Sequence, residues 1–563
     1  MRLTPARWAA GLGVAALPLF FAALRHPGFA DNEGRYAEVA RELVARGDWI
    51  TPHLNGAPFL NKPPLLFWLT ALVFGAVGPT ESARLVSGVA TLATMAVLYD
   101  LGRRLSGSLA GAWAVAAYLT AMSTTVEART LRPDAWLTLT VAVSLWGAVR
   151  LGLDLPRLEA ARPARRGRAG GFLALWGGAA LGVMAKGLLG LVLPALILLP
   201  AVLLGGRPAV IRRWRAGAGL VLVAALVLPW HLAAARANPG FAWDYIVNQH
   251  LLFFLDRKLP RDSVPDPLWY AWAAFALRLT PWVLLLPAAV LRQLREARRA
   301  ATAAAWLPLT WLGMVWLLFS LAPSRLEHYF LPAVPAAALL VGPLCADWAG
   351  ADGRRGGRAA LGACLALTAL GAAGALLLPG RLAAGALAAL APLARVASLA
   401  VAAGAGAGAW LARRGRPARG AAALVATFLV IAALTVRALA LADPAISVRP
   451  LVAAVGAARL ETSEVACEAG EEYQLCAALA YYVGRPVLLL APPAFVAPDY
   501  LRRDAGHLFV PRPTFWARWR AGQARIVLFT DPERGMDRLA EFPAPRFELA
   551  RGADRLVLTN LPP

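Results

Sequence analysis

Arg292-Gln293-Leu294-Arg295-Glu296-Ala297-Arg298-Arg299 gives way, after a short join, to Ala303-Ala304-Ala305-Trp306-Leu307-Pro308-Leu309-Thr310-Trp311-Leu312-Gly313-Met314-Val315-Trp316-Leu317-Leu318-Phe319-Ser320-Leu321. A helix that crosses the roughly 30 Å hydrocarbon core of a bilayer needs about 20 mostly apolar residues. The second run meets that need without a single charge. The first is the kind of arginine-rich loop that resists translocation.

Outward in both directions the same alternation covers most of the 563 residues. Thirteen segments qualify as spans, near 8–25, 83–101, 108–123, 134–152, 171–185, 187–204, 217–234, 268–290, 303–321, 328–347, 359–378, 386–411 and 420–441. With 59% hydrophobic and 16% charged residues, the composition excludes an ordinary soluble protein. A net charge of +24 would point to nucleic acid in a soluble chain. Here Lys and Arg sit between apolar runs, so the expected partner is membrane lipid and not nucleic acid. The expected fold class is mainly α, a polytopic membrane protein of about 13 transmembrane helices with a small C-terminal extracytoplasmic α/β domain.

Arg103 and Arg104, Arg157 to Arg168, Arg207 to Arg215, Arg292 to Arg299, Arg354 to Arg358 and Arg413 to Arg419 occupy every second connection, which assigns those loops to the cytoplasm. The first run, Trp8 to Leu24, follows Arg2 and Arg7 and ends in Leu24-Arg25-His26-Pro27 without a small-residue cleavage site, so it reads as a retained span with the N-terminus inside. An odd number of spans then puts everything after Leu441 outside, together with the long segments 26–82 and 235–267. Pro64 to Gly78 is short for a crossing and reads as interfacial or re-entrant. Counting it as a span would reverse every later loop.

The chain is therefore expected to divide into a transmembrane domain, 1–441, whose outer loops 26–82 and 235–267 form the active site, and an extracytoplasmic domain, 442–563. In the tail, β-rich Arg525 to Thr530 and Asp554 to Thr559 alternate with helix-like Glu471 to Val483. Cys345 and Cys364 lie in apolar stretches. Cys467 and Cys476 lie in the tail, where a disulfide and two buried thiols are both open.

The densest polar signal is Asp31-Asn32-Glu33-Gly34-Arg35-Tyr36-Ala37-Glu38-Val39-Ala40-Arg41-Glu42, directly after the first span. Val39, Ala40, Leu43 and Val44 follow Tyr36 at helical spacing, which predicts a helix lying on the membrane surface. Asp31 and Glu33 fall at its positive end, where an ionised carboxylate is favoured, as a general base requires. The alternative is that Asp31 or Asn32 merely caps the helix. A second cluster, Leu60-Asn61-Lys62-Pro63-Pro64-Leu65-Leu66-Phe67-Trp68, follows on the same outer face.

The E-G-R-Y-A-E-x-A-R-E run, Gly47-Asp48-Trp49-Ile50-Thr51-Pro52 and the K-P-P-L run together resemble bacterial glycosyltransferase family 39. That group is similar to the protein O-mannosyltransferases and the lipid A aminoarabinose transferase, which share the GT-C fold. The match is densest from Asp31 to Trp68 and continues through Ala185-Lys186-Gly187, Pro229-Trp230, Pro281-Trp282, Ser324-Arg325 and His328-Tyr329-Phe330-Leu331-Pro332.

The resemblance implies an inverting glycosyltransferase of the bacterial inner membrane. It would move a sugar from a polyprenyl-phosphate donor to an extracytoplasmic lipid, glycan or protein hydroxyl, with a carboxylate base and cations on the lipid phosphate. The matching candidates are Asp31 or Glu33 as base and Lys62 on the phosphate, with Arg35 and Tyr36 beside it. Anchoring on Arg35-Tyr36 puts Asn32 where the relatives' catalytic Asp falls, so Asp31 or Glu33 must substitute. Asn61 stands where relatives often carry Glu, which weakens the case for a divalent metal, since an amide is a poorer ligand for a hard cation.

Further candidates are His250 and Arg257, in the segment that the family places near the phosphate, and Arg325 and Tyr329, which could bind phosphate or cap helix ends. Asp134 and His328 are candidate pocket residues. Glu127, Arg129, Arg132 and Asp134 gather at the ends of adjacent spans, where charges are paired or functional. A transporter or flippase of a lipid-linked substrate is the alternative. Transporters place their polar groups near the membrane midplane, often in two related halves. This chain collects them at one rim.

Overall fold

In the computed structural model the described residues are 4–153, 165–206, 208–258, 267–323, 325–349, 357–382, 387–468, 476–491, 508–530, 539–552 and 555–563. Ser324, Asp554, residues 471–475 of the expected tail helix, and the basic stretches 157–164, Arg207 and 354–356 lie outside them.

Thr4 caps α1 (Pro5–Phe21), its side chain accepting from the Arg7 N–H, with Pro5 in the first turn. Next come α2 (Asp31–Arg46), the two-residue strands β1 (His53–Leu54) and β2 (Ala57–Pro58), and α3 (Leu65–Val77). The bundle continues with α4 (Leu85–Ser106), α5 (Ser108–Thr120), α6 (Met122–Ala128), α7 (Asp134–Arg150), α8 (Arg165–Lys186), α9 (Leu189–Leu204) and α10 (Ala216–Ala237). A single helical turn, α11 (Phe241–Trp243), runs into a π-helix, Asp244–Leu252. Then follow α12 (Leu268–Arg278), α13 (Leu286–Ala300), α14 (Ala303–Leu321), α15 (Val334–Ala349), α16 (Gly357–Leu382), α17 (Ala391–Arg413) and α18 (Pro417–Leu441).

Every one of the thirteen expected spans falls on helix. Among the described residues eight helices are long and apolar enough to cross a membrane, nine if α5 and α6, bent by 67°, count as one. The other four are shorter: α1 and α7 have 17 residues and α9 has 16, while α12 and α13, of 11 and 15, are one expected span interrupted at Pro281. The protein is a multi-pass membrane protein. The 13 residues of α3 reach only about 20 Å, less than the hydrocarbon thickness.

One close approach matters for the site. A Cβ at Gly190 would lie 2.0 Å from the Gly182 carbonyl carbon, so α8 and α9 touch backbone to backbone. The turn between them, Lys186-Gly187-Leu188, is thereby held tight, with Gly187 at φ +72°.

After α18 the chain forms α19 (Asp443–Ile446), α20 (Arg449–Val455), α21 (Ala457–Glu461), β3 (Glu464–Glu468), α22 (Ala477–Val483), β4 (Leu488–Ala491), β5 (Phe509–Pro511) and α23 (Arg512–Ala521). β6 (Ile526–Phe529), β7 (Phe547–Arg551) and β8 (Leu556–Thr559) complete a six-stranded sheet in the order β5-β4-β3-β6-β8-β7. β3, β4, β5 and β6 are parallel, while β8 runs antiparallel to both β6 and β7. Central strands of a parallel sheet are covered on both faces, and all of β6 is buried. This is the small C-terminal α/β domain, and Cys467 and Cys476 are disulfide-bonded within it.

The domain docks on α2 and its flanks. Gly34 lies so close to α22 that a Cβ there would meet the Ala478 Cα at 2.5 Å. The Asn55 side chain exchanges two hydrogen bonds with the Val487 backbone, and Arg449 bonds both Glu81 and Asp443. Tail and first loop thus share one end of the bundle. Arg103 and Arg104 sit at the far end of the 22-residue α4, about 33 Å away, where Asp100 takes both guanidinia and the Trp146 indole N–H.

Candidate active site at one rim of the bundle

The polar run after the first span folds as α2 because Tyr36, Val39, Ala40 and Leu43 recur at helical spacing and all bury. Gly47, at φ +68°, ends the helix and donates to the Leu43 carbonyl. The N-cap is Ala30, which offers no side-chain bond, and Asp31 and Asn32 already lie inside the first turn. Capping therefore does not explain either residue. Instead Asn32 is exposed and accepts from Arg35, while Asp31 and Glu33 point to opposite neighbours.

Glu33 faces the bundle. Its carboxylate takes Arg84 Nε at 2.9 Å and a second Arg84 nitrogen at 2.7 Å, and the Leu131 backbone N–H at 2.8 Å. Burial works against its ionisation, but Arg84, the Leu131 N–H and Arg132 outweigh it and hold the carboxyl below its usual value. Arg84, just before α4, also reaches the carbonyls of Leu24, Pro27 and Gly28 and stacks on Phe29. This buried clamp ties the first span, the first loop and α4 together. The expectation for Glu33 as a base meets a physical obstacle here: both oxygens are spent and the residue is 5% exposed.

Asp31 faces the other way. Its carboxylate lies 2.8 Å from Arg555, at the start of β8, with side-chain exposures of 21% for Asp31 and 4% for Arg555. Of the two carboxylates, Asp31 is the one that solvent or an acceptor can reach. Sequence reading missed Arg555, since nothing in a β-rich tail links it to a residue more than five hundred positions earlier.

Gly47 to Pro52 turns out to be scaffold. Asp48 accepts from the N–H groups of Ile50 and Thr51, the Trp49 carbonyl takes the Trp68 indole, and the Ile50 carbonyl takes that of Trp230. Asn55-Gly56, both at positive φ, close the β1–β2 hairpin. The chain then reaches Asn61-Lys62 and enters α3, whose Phe67 stacks on Tyr36 with centroids 6.1 Å apart. The acidic run and the lysine run are joined on one side of the bundle.

Lys62 is half-buried and its charge reaches His250. His250 Nδ1 lies 2.6 Å from the Tyr245 carbonyl and Nε2 faces the Leu188 N–H at 3.4 Å. The bonding pattern assigns the proton to Nδ1 and leaves Nε2 as acceptor. Burial, followed by Lys62 and His231, pushes the imidazole below its ordinary value, so it is neutral at neutral pH. The buried Tyr245 hydroxyl and the Asn61 side-chain oxygen have no hydrogen-bond partner among the described residues.

Past the Lys186-Gly187-Leu188 turn lies a network of charges. Lys186 pairs with Asp134 at the start of α7 and stacks over the Tyr329 ring at 4.6 Å. Arg278 bridges Glu127 at 2.6 Å and Glu327 at 2.9 Å. Burial opposes the charge of Arg132, but Glu127, Asp134, Glu33 and Tyr36 around it hold its guanidinium protonated. His328 belongs to the same group, close enough to feel Asp134, Arg132, Lys186 and Arg278.

Three expected residues have described contacts at helix ends. Arg129 donates to the carbonyls of Leu19, Ala22 and Ala23 and so closes the C-terminus of α1. Arg325 donates from Nε to the Ser320 carbonyl, closing α14. Arg257 is exposed, and its backbone N–H closes the π-helix at Leu252. Arg84, Lys186 and Arg278 were missed as site residues. The available signal was a lone cation at the edge of an apolar run on the side where cations are scarce.

Among the described residues no three His, Cys, Asp or Glu side chains come together, and Asn61 offers one neutral oxygen.

Residues 61–232 match the family described as dolichyl-phosphate-mannose-protein mannosyltransferase. The undecaprenyl phosphate-alpha-4-amino-4-deoxy-L-arabinose arabinosyl transferase of Edwardsiella ictaluri is 34% identical over 325 residues, 55% of this chain and 54% of the relative. The protein of that name from Pseudomonas aeruginosa is 32% identical over 328 residues, again 55% and 54%. The matched region thus spans about half the length of these relatives. The crystal structure of ArnT from Cupriavidus metallidurans bound to undecaprenyl phosphate superposes with a TM-score of 0.78 at 22% identity, covering 98% of both chains. At that identity the likeness is one of fold.

Proposed function

We propose that this chain, a GT-C-fold membrane protein whose residues 61–232 match the dolichyl-phosphate-mannose-protein mannosyltransferase family, is an inverting glycosyltransferase with a polyprenyl-phosphate-sugar donor. The observation that carries the reading is the meeting of the Asp31 run and the Lys62 run at one rim, through Tyr36 on Phe67, next to a dense field of fixed cations. The names of the relatives make an undecaprenyl-phosphate-linked aminopentose the first donor to assay. The acceptor is a lipid, glycan or protein hydroxyl. The protein sits in the bacterial inner membrane, with the N-terminus and the Arg103 and Arg292 ends cytoplasmic and the C-terminal domain outside.

The chemistry follows from the charges. The acceptor oxygen attacks the anomeric carbon from the face opposite the phosphate; the new C–O bond forms as the bond from that carbon to the phosphate oxygen breaks. Asp31 takes the hydroxyl proton, and the polyprenyl phosphate leaves with one more negative charge. That charge develops beside Lys62, with Arg35 and Tyr36 as donors at hand and the neutral His250 imidazole packed nearby, and fixed cations in a partly dry site stabilise it without reorganisation. Asp134 and Lys186 pair beside the Tyr329 ring, with Arg132 and His328 in the same charged group. Arg257 and Arg325 would add only long-range attraction for the anionic donor.

Asp31→Asn keeps the shape of the helix terminus and removes the proton acceptor. In a deletion strain complemented with this variant, mass spectrometry is expected to show a polyprenyl-phosphate sugar accumulating and the modified envelope product reduced by at least about 1000-fold. Product at the wild-type level would remove Asp31 as base.

A further inference from the structure

We infer that the C-terminal domain is a working part of the active site, because Arg555 acts as a positioning residue that holds the Asp31 carboxylate in place from across the domain boundary. The inference rests on the reading of Asp31 as base.

Three observations carry it. First, Arg555 is 3% exposed although it belongs to a surface-docking domain, and its guanidinium lies 2.8 Å from an Asp31 oxygen. A guanidinium cannot lose its charge at any ordinary pH, so a buried one is stabilised by a carboxylate beside it, and Arg555 meets one that belongs to the other domain. Second, Asp31 is not occupied as a cap: Ala30 is the N-cap and Asp31 is already inside the helix. Its orientation therefore comes from a side-chain partner and not from the backbone of α2. Third, the domain is fixed against α2 elsewhere. The Gly34–Ala478 contact leaves no room for a Cβ, and Asn55 exchanges two hydrogen bonds with Val487. The docked domain thus brings Arg555 to Asp31 in one geometry.

A base must be ionised and aimed. Asp31 sits on the terminus of a helix whose macrodipole already favours the ionised form. What the dipole does not supply is direction, because a carboxylate on a first-turn residue rotates about two side-chain bonds. The charge-assisted bond from one Arg555 nitrogen to an Asp31 oxygen, made by a guanidinium that is itself buried, restricts that freedom. Displacing a reacting group by an ångström costs about 100-fold in rate. The same contact makes turnover conditional on docking, so a chain whose tail has not folded onto α2 carries a misdirected base.

The test uses the full-length protein in the complemented deletion strain and, after purification in detergent, undecaprenyl phosphate as binding probe. Arg555→Gln is expected to lower the ratio of modified product to accumulated donor by about 10- to 100-fold, with undecaprenyl phosphate affinity and thermal unfolding near wild type. Arg555→Lys keeps the charge but not the reach and planarity of the guanidinium and should recover part of the loss. Asn55→Ala weakens docking away from Asp31 and should lose far less product than Arg555→Gln.

Unchanged product in Arg555→Gln, with Asp31→Asn inactive, overturns the inference and leaves the base assignment standing. Equal losses in Asn55→Ala and Arg555→Gln also overturn it, since docking alone would then account for both. Should Arg555→Gln not accumulate as folded protein, Arg555→Lys decides: a several-fold loss of product at unchanged affinity supports positioning by the guanidinium, and wild-type product overturns it. Full activity of Asp31→Asn removes the underlying reading and with it the role of Arg555.

Discussion

α2 presents two faces that begin two residues apart and serve different ends. On the bundle face, Glu33 is enclosed by Arg84 and the Leu131 N–H, with both carboxylate oxygens accepting hydrogen bonds. On the tail face, Asp31 meets Arg555 and keeps about a fifth of its side chain exposed. Both are carboxylates in one helical turn, and both are paired with arginine. The difference lies in what remains over after pairing. A saturated, buried pair can hold a structure together but cannot exchange a proton with a substrate; a partly open one can do both.

Breaking the bundle face gives the largest effect on stability. Arg84→Met leaves the Glu33 carboxylate buried without its cation and strips the carbonyls of Leu24, Pro27 and Gly28 of their donor, so a loss of about 3–5 kcal/mol is expected. Thermal unfolding in detergent measures it. The folded fraction should still bind undecaprenyl phosphate. Acid gives an independent check, because the Glu33 carboxyl is held below its unfolded value. The stability it contributes is present above the unfolded value and fades as pH falls through the folded one. An Arg84→Met protein with wild-type unfolding temperature and acid tolerance would mean that the clamp is ornamental.

Next in size is the seam between the two faces. Gly34→Ala puts a Cβ 2.5 Å from the Ala478 Cα, where backbone and not a flexible side chain must give way. Overpacking of this kind costs about 1–3 kcal/mol. It is expected to loosen the tail from α2, which limited proteolysis near residues 443–448 would detect as faster cleavage. Activity should fall with the docked fraction. An unchanged cleavage rate would show that the seam has slack that the packed geometry does not suggest.

These contrasts also explain what the sequence made legible. The bundle was readable because a span leaves a long local record: a run such as Ala303 to Leu321 has one physical explanation. The run Asp31 to Glu42 was readable as a helix for the same reason, since its period is local, but not as one covered on its charged side too, where Glu38 and Glu42 are buried. What was not readable was which way each carboxylate turned. Asp31 and Glu33 look alike in sequence, and their roles come from Arg84, more than fifty residues on, and Arg555, more than five hundred on.

Asp134 could be singled out as a charge at the edge of a span, but its partner Lys186 depends on how α7 and α8 pack. Gly47 to Pro52 carried the family likeness although its side chains and carbonyls serve as internal ties. A motif's density in sequence did not distinguish chemistry from scaffold.

The smallest effect sharpens the comparison most, because it touches docking and nothing else. Asn55 sits at the tip of the β1–β2 hairpin, buried, giving Nδ2–H to the Val487 carbonyl at 2.9 Å and accepting the Val487 N–H at 2.7 Å. Asn55→Ala leaves that buried backbone donor and acceptor unmatched unless water enters, at a cost of about 1–3 kcal/mol. The positive φ of 53° at this position adds a little strain for alanine. The loss should appear as a modest fall in unfolding temperature and a slightly more mobile tail. Because neither Asp31 nor Arg555 is touched, product formation should stay within a few-fold of wild type. A tail that is loosened yet leaves turnover intact would separate holding the domain in place from aiming the base, and a turnover that collapsed with so small a perturbation would show that docking alone, and not the Arg555 contact, governs it.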